Sequence, residues 1–184
     1  MSDDASAGLL ALRAFVWPDL SQWYGLPPCT LADIAQVFHV ESDGQRGSGT
    51  LGEAHCPRSW LTVAGKGFPE GVRVWLDGDQ VVGMDTALRC ATSDFDALIG
   101  QLGPSENMLD FHFSNALIPG GEWVYPHRGL TLFVEPELHC LLRIAAYPST
   151  NLPRYRAIHR LLAGRWVKHP VSIIQASFQE GTCR

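Results

Sequence analysis

Charge is scarce in this chain: 14 lysines and arginines and 19 aspartates and glutamates make up 18% of 184 residues, for a formal net charge of −5. No run of bases has the density that a nucleic-acid backbone demands, which excludes broad nucleic-acid binding. The densest group, Arg154, Arg156, Arg160, Arg165 and Lys168, reads as a solvated helix face. Long apolar runs are lacking too. Leu9 to Trp17 is broken by Arg13 and preceded by Asp3 and Asp4, too short to cross a bilayer and acidic where a signal peptide is basic. A cytoplasmic protein with no membrane partner is expected. The five cysteines are odd in number, scattered and without a CxxC pair, which favours reduced thiols over a disulfide framework or a zinc knuckle. GxSxG, GxGxxG, P-loop, HExxH and EF-hand signatures are absent, so no catalytic residue, metal or cofactor is assigned.

What is present suits one globular domain over residues 1–184: 46% of the residues are hydrophobic. At this length about 70% of the chain's surface can be buried, enough for a core without metal or disulfide staples. Gly71-Val-Arg-Val-Trp-Leu-Asp-Gly-Asp79 is echoed 58 residues on by Gly129-Leu-Thr-Leu-Phe-Val-Glu-Pro-Glu137, with eight of nine positions keeping their chemical class. Each nonapeptide alternates as a strand does and ends in an acidic turn. A second strand follows each, Gln80 to Met84 and Leu138 to Ala146, making two hairpins.

Upstream of each hairpin stands a helix entry: a hydroxyl followed three residues later by an acid, Thr30 with Asp33 and Ser93 with Asp96. The helices span about Leu31–Phe38 and Asp94–Leu102. Phe95, Leu98, Ile99 and Leu102 form one stripe, and Gly103-Pro104 ends it. One further strand precedes each hairpin, Trp60–Ala64 and Glu122–Tyr125, after Gly-rich linkers at Gly44–Gly52 and Pro119–Gly121. The expected fold is α+β: two tandem helix–β-hairpin units, about 30–86 and 93–147, forming one antiparallel sheet with the helices packed on one face. A helix at 7–17, stopped by Pro18, precedes them. A tail over 152–184 follows, with a helix opening after Pro153 and a last strand at Ser172–Phe178.

Helix-then-hairpin units in tandem, with the helix exit Leu102-Gly103-Pro104 and Gly-led strands, resemble the α/β repeats of beta-lactamase-inhibitor-protein-like and SmpA/BamE-like domains over residues 30–147. The resemblance implies a binding module that grips a protein partner. No motif matches closely enough to carry a contact residue across, and the lipoprotein signal of the outer-membrane members is missing.

Alternation places Val72, Val74 and Leu76, and Leu130, Leu132 and Val134, on the face that meets the helices. The opposite face then receives Trp60, Arg73, Trp75 and Phe133. Trp123 and Tyr125 share one face of their strand, and Val124 alone does not say which. So large an aromatic surface is either covered by the chain's own termini or offered to a partner. Together with Arg128, these residues form the expected binding surface of a non-enzymatic inhibitor, immunity-type or accessory protein. The alternative is a small enzyme, or a ligand-binding accessory of a biosynthetic pathway, with a pocket near Tyr125, His127 and Arg128, the richest polar cluster in the chain. Asp110-Phe-His-Phe113 is a second polar–aromatic alternation of interest.

Overall fold

A computed structural model describes residues 20, 23–38, 45–65, 68–87, 92–113, 116–161 and 167–168. The expected helix at 7–17 and strand at 172–178 lie outside these residues.

The first helix, α1 (Leu31–Val37), begins where the sequence places it. The Thr30 hydroxyl accepts from the Asp33 N–H at 3.3 Å, and the Asp33 carboxylate accepts from the Thr30 N–H at 2.8 Å. These bonds hold the Asp33 carboxyl below its ordinary pKa. The second helix, α2 (Thr92–Leu102), takes in Ser93 rather than being capped by it, and ends at Gly103 with φ +77° and its N–H on the Ile99 carbonyl.

Four strands, not one hairpin with a single added strand, follow each helix. After α1 come β1 (Arg46–Leu51), β2 (Cys56–Gly65), β3 (Phe68–Asp77) and β4 (Gln80–Ala87). After α2 come β5 (Asn107–Phe113), β6 (Ala116–Tyr125), β7 (Leu130–Glu135) and β8 (Cys140–Ala146). With a two-residue β9 (Val167–Lys168) they make one antiparallel sheet in the order β5-β6-β7-β8-β4-β3-β2-β1-β9. Both Gly-rich linkers are corrected by this. Arg46–Leu51 has little strand character of its own but pairs with β2 along its whole length, and sheet context outweighs weak local preference. Pro119–Gly121 lie within β6, where three residues bulge opposite Asp110 alone; the Asp110 carboxylate accepts from the Gly120 N–H at 2.8 Å.

The face assignment follows the alternation. Val72, Val74, Leu76, Leu130, Leu132 and Val134 are buried in one cluster with Ile34 and Phe38 of the first helical segment and Phe95, Leu98 and Leu102 of α2. The other face has a core of its own: Trp60, Trp75 and Phe133 cluster with Leu51 of β1, Phe111 of β5, Ile118 of β6 and Leu161. Strands from opposite ends of the sheet order thus converge on this face, so the sheet curls around it. Cys56 is disulfide-bonded, whereas Cys29 and Cys140 are free thiols. The expectation of reduced thiols throughout is therefore corrected, because sequence spacing carries no information on which cysteines meet in space.

Two glycines show where backbone geometry is unforgiving. Gly129 sits at φ +56°, and a Cβ there would collide with the Tyr147 carbonyl, whereas Gly78 at φ +62° faces open space. Gly129→Ala is expected to destabilise by more than about 2 kcal/mol, and Gly78→Ala by only the left-handed-backbone cost of about 1 kcal/mol. Urea midpoints of the two variants at unchanged m-value would show the difference.

Candidate functional site

On the curled inner face, β2 and β3 place Trp60 directly across from Trp75. The indole of Trp75 donates to the Asp85 carboxylate at 2.7 Å, and Arg73 and Arg143 flank the same buried carboxylate at 3.8 and 3.7 Å. The Arg73 guanidinium lies 4.9 Å from the Trp60 ring centroid and 5.8 Å from that of Trp75. Phe133 packs edge-on against Phe111 with centroids 5.2 Å apart. Trp60, Trp75 and Phe133 are only 1–2% exposed. Of the two readings of this face, cover by the chain itself is the one found, and these rings are core rather than an open binding surface.

Part of its cover is a strap, Asn151–Leu161. The Asn151 side chain caps a single helical turn by accepting from the Arg154 N–H, and a wider π turn over Tyr155–His159 follows. The strap docks on the β1–β2 turn by backbone: the N–H groups of Gly52, Glu53 and Ala54 donate to the carbonyls of Arg160, Arg156 and Ala157 at 2.7–3.1 Å. Arg160, expected to be solvated, then joins both ends of the sheet. It forks onto Glu122 at 2.9–3.1 Å, reaches Glu53 at 3.0 Å, and donates to the Asp110 carbonyl at 2.6 Å. Tyr155 donates to Glu122 Oε1 at 2.8 Å, the oxygen that Arg160 Nε also reaches. Burial raises the Glu122 carboxyl pKa, while Arg160 and Tyr155 draw it back down. Glu122 is fully buried, so without those donors it could not carry a charge there.

The remaining expected site residues sit elsewhere and do not converge. Trp123 and Tyr125 belong to the helix side: Trp123 packs 5.6 Å from Phe95, and the Tyr125 hydroxyl donates to the Gly103 carbonyl at 3.0 Å. Burial pushes the Tyr125 phenol up to about 12, far from acid–base use near neutral pH. Arg128 donates to the Leu20 carbonyl at 3.1 Å and lies 6.0 Å over the Tyr24 ring. His127 is exposed, 3.8 Å from Glu106. A pocket shared by Tyr125, His127 and Arg128 would need side chains that point together; these run to three separate partners.

The sequence reading missed the surface that is open. Met108 is 58%, Leu117 53% and Phe113 44% exposed, all on the β5–β6 hairpin at one end of the sheet. At the other end, β1 is covered by β9 through Gly47 and Ser48. Among the described residues no strand covers the outer edge of β5. The signal was in plain view, since Asp110-Phe-His-Phe113 alternates as a strand does, but which strand lies at an edge is decided by sheet order. No helix among the described residues is long and apolar enough to cross a membrane. No family model, curated protein or solved structure matches this chain.

Proposed function

We propose that the protein is a non-enzymatic binding module that docks a protein partner on the β5–β6 end of its sheet. The observation that carries this reading is the exposure of Met108, Phe113 and Leu117 on a terminal hairpin. Exposed apolar side chains beside an uncovered strand are a liability that folds usually blunt; Met108 and Leu117 share the helix-side face of the hairpin, and Phe113 stands on the other. The polar residues offered for an enzymatic role bond to separate backbone and side-chain partners, which weighs against catalysis. The binding role also agrees with what the resemblance to inhibitor-like α/β repeats implies.

The scaffold, in our reading, is one helix–four-strand unit used twice. The β3–β4 ladder slips after Trp75 and the β7–β8 ladder after Phe133, leaving Val82 and Leu142 unopposed, 60 positions apart. The central seam pairs Asp85 with Ala145, again 60 positions apart. Each half thereby meets its own counterpart about a pseudo-two-fold axis.

Leu117→Asp and Met108→Asp test the docking surface. Both positions are exposed, so melting temperature should hardly move, as for surface changes within about 0.5 kcal/mol. A stoichiometric partner co-purified from the native host should be lost from both variants, a weakening of about tenfold or more. Retention of the partner by both, or a wild-type protein that carries none, would sink the proposal.

A further inference from the structure

His159 brings an imidazole from the strap onto the sheet. The imidazole stacks on Tyr147, centroids 5.3 Å apart and planes 18° apart. The backbone of Val82, the residue that the bulge in β4 leaves outside the β3–β4 ladder, acts on the ring and favours its protonated form, but less than burial disfavours it. Its Nδ1 is sealed from solvent with no hydrogen-bond partner. A neutral ring tolerates this; a protonated one would bring a second N–H, and a charge, into a place without an acceptor. The charges acting on it are both positive, Arg154 from the strap itself and Arg58 from β2, and Arg58 is already turned to Asp77 at 3.3 Å. From β6, Glu122 faces the strap but is engaged by Arg160 and Tyr155. The remaining titratable neighbours, Tyr147 and Tyr155, are phenols whose pKa burial raises, so they stay neutral.

We propose that the strap Asn151–Leu161 is an acid-operated clasp: protonation of His159 detaches it and uncovers the Trp60–Trp75–Phe133 face of the sheet. The physical sense is fixed by the surroundings. Burial and the two arginines hold the attached imidazole down at about 4, against 6.5 for a free one. The detached strap therefore takes up the proton, and attachment, complete above pH 6.5, is lost as pH falls toward 4. At about tenfold per pH unit, that window shifts the balance roughly 300-fold toward the open form. Glu122 works in the opposite sense, since a carboxyl with a raised pKa keeps its proton better in the attached state. Glu53, whose carboxyl the strap's Arg156 and Arg160 hold below its ordinary value of 4.5, works in the same sense as the imidazole but only toward the acid end of the window. Above about pH 5 the imidazole therefore drives the release.

Amide hydrogen exchange on the intact protein reads the clasp directly. Between pH 7 and 4, protection factors corrected for intrinsic rates should fall by up to about 300-fold at Gly52, Glu53, Ala54 and Arg160, whose N–H groups the strap holds or forms. Those of β3 and β7 should hold. His159→Gln keeps a polar side chain of similar reach but does not titrate, and its protection at the same amides should be independent of pH between 7 and 5. Acrylamide quenching of tryptophan should follow the same curve in the wild type. Should the strap and the central strands lose protection together, or should the wild type keep its strap protected at pH 4, the clasp does not exist. If His159→Gln folds and opens with the wild-type midpoint, another group drives the opening and the proposal is likewise overturned.

Discussion

Arg160→Met is expected to destabilise the fold by about 3–5 kcal/mol, because it strands a fully buried carboxylate. Glu122 accepts three of its four protein hydrogen bonds from this one guanidinium, at 2.9–3.1 Å, and the fourth from Tyr155. Coulomb attraction of an exposed pair would be worth less than 1 kcal/mol, so the expected loss is mostly the desolvation of an unpaired charge. The double variant Arg160→Met with Glu122→Gln separates these causes. Glutamine can still accept from Tyr155 and carries no charge, so the double variant should be more stable than Arg160→Met alone. Chemical denaturation of wild type, both single variants and the double variant gives the coupling energy. Additive losses would mean that the two residues act independently and that the fork contributes nothing as a unit.

Trp75→Ala should also cost about 3–5 kcal/mol, which for a chain of this length is a fall of about 10 °C or more in melting temperature. The ring is 1% exposed, and its removal also takes the indole donor from the buried Asp85 carboxylate. Val74→Ala, a smaller truncation on the helix side of the same strand, should lose about 2–3 kcal/mol. A Trp75→Ala protein that melts within a degree or two of wild type would show that the inner face is open in solution and would restore it as a binding surface.

How much of this was legible in the residues themselves follows the range of the forces involved. Most local signals read correctly, although the helix over Thr92–Leu102 starts before Ser93, which reads as its cap. The Thr30–Asp33 cap needs contacts across three residues, and it formed as read. Period-two alternation in 71–77 and 129–135 sorted two sets of side chains onto two faces because it depends only on strand geometry, and the helix-packed cluster contains the set it named. The paired nonapeptides likewise mark the ladders that slip at matching places.

Long-range partners decided the rest. Nothing within Arg46–Leu51 makes a strand; β2 does, by offering it a ladder. Whether Trp60, Trp75 and Phe133 face solvent depends on the curl of the sheet and on a strap that follows the second meander in sequence, so alternation could assign their face but not its cover. Arg160 reads as a surface charge until Glu122, 38 residues earlier, is brought beneath it. The open surface follows the same logic in reverse. Met108, Phe113 and Leu117 are exposed because β5 ends the sheet order, and sheet order arises from the pairing of β4 with β8, a contact no local pattern encodes.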